Sequence, residues 1–289
     1  MNYTCALDGI DGYTVSVEAD ISKGIPNFSI VGLPDVSVKE SRERIKSAIT
    51  NSNLKFPNKK IVINLSPSDI RKEGSHFDLA IAICILSGEY CFLKERYEKT
   101  AFVGGLSLNG KISAVKGVIP FIVNAKLDKN LDKILVPFEN YEEAQVVDNI
   151  DIYPVSDIKQ VLDYLCGKIE LDKMSICESK YNHEFSVDYM DIKGNLVGKR
   201  AAEICASGRH NLLLIGSAGS GKTMIAKRLI SIMGELTEKE YLEVSRIYSS
   251  AGLFNEDILK RIRPFRSPHH TATIKSIIGG GQTSTPGEV

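Results

Sequence analysis

The stretch NLLLIGSAGSGKTMIAKRL, residues 211 to 229, constrains the fold more than any other part of the 289-residue chain. Four apolar residues, Leu212 to Ile215, run into a glycine-punctuated loop, and an amphipathic segment starts on its far side. The pattern G-x-x-x-x-G-K-[ST] predicts a buried strand over 212–215 and a phosphate-gripping loop over Gly216, Ser217, Ala218, Gly219, Ser220, Gly221, Lys222 and Thr223. A helix is expected to follow, with Met224, Ile225, Leu229 and Ile232 on its buried face. Each residue type in the loop has a mechanical duty. Gly216, Gly219 and Gly221 let the backbone curl so that successive N–H groups converge on β- and γ-phosphate oxygens. Lys222 adds a point charge, Thr223 offers a hydroxyl to Mg²⁺, and the start of the helix contributes the positive end of its dipole. The expected ligand is ATP or GTP with magnesium.

Composition bounds the rest. Charged residues make up 25% and hydrophobic ones 43% of the chain, the balance of a globular protein, and the length suffices for two cores. No apolar run approaches the roughly 20 residues that cross a bilayer. The start MNYTCALDGI lacks the basic and apolar regions of a signal peptide, so a cytoplasmic protein without membrane contact is expected. Cys5, Cys84, Cys91, Cys166, Cys177 and Cys205 are scattered, with no C-x-x-C pair, and read as reduced thiols rather than zinc ligands. Formal charge is zero overall, yet from Val187 onward 14 Lys and Arg stand against 10 Asp and Glu. That asymmetry permits an anionic ligand without requiring one.

The fold class expected is α/β and α+β in two parts. Up to Cys166 strand and helix signals alternate: YTVSVEADIS and IVINL (61–65) read as strands, and Val38, Ile45, Ala48 and Ile49 share one face of a helix over 36–50. Asn109-Gly110 marks a hairpin, ILVP a strand, and DIKQVLDYL a helix. The near-continuous apolar run Leu79 to Leu86 reads as a buried helix. Residues 167–187 lose periodicity and gain charge, as linkers do, which divides the chain into domains 1–166 and 188–289. The second opens with a helix expected over 196–206, and a capping box at Thr237 and Glu240 starts another.

The loop together with RIRPFRSPHHTAT, IIGGG and PGEV resembles the YifB/ComM family of magnesium-chelatase-like AAA+ proteins. KEGSHFDLAIAICIL and VGGLSLNGKISAVKGV resemble the Lon-protease-like domain (ribosomal protein S5 domain 2-like) that this family carries ahead of its ATPase module. The resemblance implies a P-loop ATP hydrolase that assembles as a hexameric ring and acts on DNA, with branch migration in competence as the work of some members. It also implies that Asp191, Ile192, Lys193 and Gly194 lie beside the adenine; Asn195 stands where the family usually has Gln. In the family PGE leads into a strand ending in an Asp-Glu pair, which residues 224–289 lack, and the sensor and arginine finger would lie further on. No complete catalytic set is therefore expected, and the chain reads as a C-terminally truncated portion that binds ATP with little turnover. Two alternatives stay open: the motor subunit of a metal-inserting magnesium chelatase, which lacks the Lon-like domain, and a non-hydrolysing nucleotide-binding scaffold.

Lon peptidases use a serine and a lysine. Aligned without gaps, His76 takes the serine's place with Ser75 one residue early, and Ile119 takes the lysine's place with Lys116 three residues before. Proteolysis is not expected, and His76 at a helix start reads as a polar cap. KRIRPFRSPHH, residues 260–270, sets four basic residues around Phe265, suited to DNA backbone or subunit contact, or else a surface loop over a core ring. His269-His270 reads as packed structure rather than a metal site, because neighbouring side chains diverge.

Overall fold

The computed structural model describes residues 1–174, 187–280 and 285–288, and the chain divides into two units. The first comprises Met1–Cys177, Arg246–Leu253 and Gly280–Pro286, the second Glu178–Ser245, Phe254–Gly279 and Gly287–Val289. Residues 175–186, most of the expected linker, lie outside the described residues, as does Cys177.

In the first unit the strands are β1 (Asn2–Asp8), β2 (Asp11–Ser22), β3 (Asn27–Val31), β4 (Lys60–Ser66), β5 (Thr100–Phe102), β6 (Gly105–Leu106), β7 (Ile112–Ser113), β8 (Lys133–Pro137) and β9 (Asp151–Val155). Seven of them form one mixed sheet in the order β3-β4-β2-β1-β5-β8-β9, and β6 and β7 make a separate hairpin. The period-two pattern fixes the register. Val17 lies opposite Leu65, Ala19 opposite Ile63 and Ile21 opposite Ile61, so apolar side chains of both strands gather on one face. A one-residue slip would turn them all to solvent.

The helices are α1 (Val36–Asn51), α2 (Asp78–Leu86), α3 (Lys94–Tyr97), α4 (Val118–Leu127), α5 (Tyr141–Ala144) and α6 (Ile158–Leu165). α1 is the crossover between the parallel strands β3 and β4, the connection such a pair requires. Asp35 caps it, its Oδ1 accepting from Val38 N at 2.7 Å, and Val38, Ile45, Ala48 and Ile49 form its buried face, as the spacing predicts. The Asn109-Gly110 turn joins β6 to β7; Gly110 has φ +84°, and a Cβ there would lie 2.0 Å from Ser52 Oγ. Every residue of α2 is buried, which explains why its apolar run has no polar stripe.

His76 corrects one expectation. The cap position of α2 belongs to Phe77 and carries no side-chain bond, while the His76 ring stacks on Phe77 at 4.1 Å and Phe121 at 5.0 Å. A residue held between two aromatic rings in the core cannot reach the helix's free N–H groups. Burial pushes its pKa down to about 3, so the imidazole is neutral.

The second unit contains α7 (Leu196–Gly208), α8 (Lys222–Arg228) continuing as a 3₁₀ turn over Leu229–Ile232, the first part of α9 (Glu238–Ala251), α10 (Glu256–Leu259) and α11 (Ile274–Ile278). Its core is Tyr189, Ile192, Ala202 and Ile225, with Leu212, Leu214, Leu229 and Ile232 packed against it. The strand expected over 212–215 does not form. Leu212 and Leu214 turn inward, but Leu213 is 82% and Ile215 87% exposed. A strand exists only through a ladder with a neighbour, and among the described residues none lies alongside. Met224 is likewise exposed instead of buried, so the inner face of α8 is carried by Ile225 alone, with Leu229 and Ile232 on the following turn. Among the described residues no helix is long and apolar enough to cross a membrane.

These burial differences set mutational costs. Ile83→Ala, in the middle of fully buried α2, should lower the unfolding free energy by about 2–5 kcal/mol in urea titration, whereas Leu213→Ser should change it by no more than ~0.5 kcal/mol.

Candidate functional site

The glycine loop is exposed from Gly216 to Ser220, and α8 begins directly after it. Gly219 and Gly221 have φ of +76° and +84°, in the left-handed region. A Cβ at either would meet nothing within 4 Å, so backbone conformation rather than crowding demands glycine there. Lys222 folds back over the loop. Its ammonium donates to Gly216 O at 2.9 Å, Ser217 O at 2.6 Å and Ser220 Oγ at 3.2 Å, using all three protons. The loop is thereby closed around a positive charge, and Thr223 beside it is exposed.

Asp191 ends a 3₁₀ turn, Tyr189–Asp191, that lies against α8, and Ile192, Lys193 and Gly194 follow it. Asp188 and Asp191 form a capping box over this turn, with Asp188 Oδ1 accepting from Met190 N at 2.7 Å and Asp191 Oδ2 from Asp188 N at 3.2 Å. Ile192 is buried in the same cluster as Ile225, its carbonyl accepting from Lys199 Nζ at 3.3 Å. Gly194 has φ +69°, and Asn195, at φ +47°, caps α7 by accepting from Gly198 N at 3.2 Å. One core thus joins the turn, α7 and the helix that carries Lys222 and Thr223.

Comparison with known proteins bears on both units. The family described as "Subunit ChlI of Mg-chelatase" matches residues 17–140, and "Magnesium chelatase, subunit ChlI" matches residues 188–289. The chain is 38% identical to the uncharacterized protein YifB of Escherichia coli over 287 residues, 99% of this chain and 56% of that protein. It is 37% identical to competence protein ComM of Haemophilus influenzae over 292 residues, 99% of this chain and 57% of that one. The chain belongs to the YifB/ComM family. Lon protease 2 of Bacillus subtilis is 32% identical over 127 residues, 43% of this chain and 22% of the protease, in keeping with a Lon-like domain. Members of the YifB/ComM family are magnesium-chelatase-like AAA+ proteins, and this chain spans a little over half the length of those relatives.

In the Lon-like part of this YifB/ComM chain the two positions that the sequence aligns with the peptidase serine and lysine are His76 and Ile119. Ile119 is fully buried, and His76 is buried and neutral. Ser75 and Lys116 line one cavity of about 750 Å³ together with Asp8, Arg71 and His76.

The basic segment is ion-paired along its length. Lys260 pairs with Glu256 at 3.0 Å, Arg261 with Glu238, Arg263 with Glu240 at 3.0 Å, and Arg266 Nε with Glu288 at 2.7 Å. Arg261 also covers the Tyr241 ring at 4.6 Å. Each of the four cations faces a carboxylate, which weakens the local positive field at this segment. Phe265 is 42% exposed, and His269 Nδ1 lies 2.7 Å from Thr271 Oγ1.

Glu240 is the hub of this compensation. Its carboxylate accepts from Thr237 N at 2.9 Å, completing the capping box of α9, and binds Arg263 and Arg209 at 3.0 Å each. The Thr237 main-chain bond and then Arg263 hold its pKa at about 2 instead of 4.5. The folded value lies below the unfolded one, so this stabilisation is complete above pH 4.5 and is lost as pH falls towards 2. Glu240→Gln should therefore melt below wild type at pH 7, with the gap in Tm closing between pH 4.5 and 2 when followed by circular dichroism.

Proposed function

We propose that this chain is the ATP-binding part of a DNA-directed AAA+ motor. Gly216 to Thr223 hold the β- and γ-phosphates, and Asp191 to Gly194 flank the adenine. The observation that carries the reading is the Lys222 ammonium held at the centre of an exposed, left-handed glycine loop by the Gly216 and Ser217 carbonyls. Phosphate oxygens carrying charge are stronger acceptors than neutral carbonyls, so a triphosphate draws this lysine out of its internal contacts while the curled backbone supplies further donors. The donor set suits magnesium as well: the exposed Thr223 hydroxyl is a hard oxygen next to the phosphate position, and Mg²⁺ keeps most of its shell from water and phosphate. When bound, the cation neutralises charge on the phosphates for hydrolysis.

ATP hydrolysis, assembly into a hexameric ring and movement along DNA belong to the whole protein. The similarity to a competence protein along 99% of this chain favours DNA as the substrate. The matched families carry the chelatase description, so metal insertion is the second reading; similarity to Lon protease 2 weighs against a dedicated chelatase subunit.

Two measurements test this. Lys222→Ala should abolish ATP binding in calorimetric titration, and an unchanged affinity would refute the site. In the complete gene product ATP turnover should rise on adding single-stranded or branched DNA; turnover indifferent to every DNA would overturn the DNA reading.

A further inference from the structure

Arg228, the last residue of α8, lies beyond the phosphate loop and bonds the phosphate-loop helix to the segment before α7. Its Nε donates to Asp188 O at 3.1 Å and lies 3.3 Å from Asp191 Oδ2, and its Nη2 is 3.2 Å from the same carboxylate oxygen. The arginine side chain is only 17% exposed although its partner is 50% exposed. Ser231, three residues on, reinforces the grip: its Oγ accepts from Tyr189 N at 3.1 Å and donates to Arg228 O at 2.8 Å. Beneath these bonds Ile192, Ile225, Leu229 and Ile232 pack as apolar surfaces. Such packing holds two elements together without fixing their offset, because dispersion and burial are non-directional. A guanidinium with a planar fork and two acceptors on one turn does fix it.

We infer that Arg228 is a positioning residue that sets the distance between the phosphate loop and the base-side segment, so that a nucleotide must match both at once. The inference rests on the nucleotide reading of this site. Its consequence separates ligands by length. ATP reaches from Lys222 to Asp191–Gly194 and depends on the offset being right. Inorganic tripolyphosphate occupies the loop alone and does not.

The test is calorimetric titration of Mg-ATP and of Mg-tripolyphosphate into the wild type, Arg228→Ala, Arg228→Lys and Lys222→Ala, with melting curves alongside. Arg228→Ala should raise the Kd for ATP about tenfold, the scale of losing hydrogen bonds to a charged group, while tripolyphosphate stays within about twofold. Arg228→Lys, which keeps the charge but not the fork, should lose part of the ATP affinity and none of the tripolyphosphate affinity. Should Arg228→Ala fail to fold, Arg228→Lys decides. Equal weakening of both ligands would make Arg228 a general stabiliser and overturn the proposal, as would no change in either. A wild type that binds tripolyphosphate and ATP equally well would overturn it too, since the base segment would then contribute nothing. Wild-type binding of neither ligand would bring down the phosphate-loop reading itself and this inference with it.

Discussion

The first unit depends on one buried carboxylate. Asp78 opens a helix whose every residue is inside, and its own side chain is fully buried. A charge in that position is tolerable only when surrounded by donors. Arg44 Nε meets Oδ2 at 2.9 Å, Ser41 donates to Oδ1, and Leu106 N approaches Oδ2 at 3.4 Å. Burial pushes the carboxyl upward in pKa while Arg44 and Ser41 pull it down. These contacts tie α1, α2 and the β6 strand to a single point. The apolar remainder of α2 can pack anywhere oily; this network decides where.

The second unit is organised the other way round, with its polar functional parts outside and a small apolar core beneath them. Four buried residues and four half-buried ones join the base-side turn, α7 and α8. A core that small leaves orientation to directional contacts such as those of Arg228. The loop above it relies on backbone conformation and on Lys222, which donates to the loop's own Gly216 and Ser217 carbonyls.

Much of the first unit was legible because its elements obey a single period. The apolar alternation in YTVSVEADIS and IVINL gave β2 and β4, the spacing of Val38, Ile45 and Ala48 gave α1, and Asn109-Gly110 gave the hairpin. The features that stayed unread share a cause: each needed a partner that periodicity does not name. Leu212 to Ile215 has strand composition but no neighbour to form a ladder. The basic run reads as an open cationic surface until Glu238 and Glu240, more than twenty residues away, are brought against it. Of its pairs only Lys260 with Glu256 lies at a helical spacing that could have been foreseen. Arg228 and Asp191 are 37 residues apart, and nothing local marks them as a pair. The motif supplied the loop, the resemblance supplied Asp191 to Gly194, and geometry supplied what holds them.

The exposed apolar segment 212–215 has a consequence for handling the protein. It presents unladdered backbone flanked by two side chains more than four-fifths exposed, in a run with no charge and no proline. Unpaired edges of that composition are templates for cross-β growth, and natural sheets guard them with lysines, bulges or covering elements. Among the described residues no such guard lies on it, so this segment is the place where self-association at high concentration is expected to start.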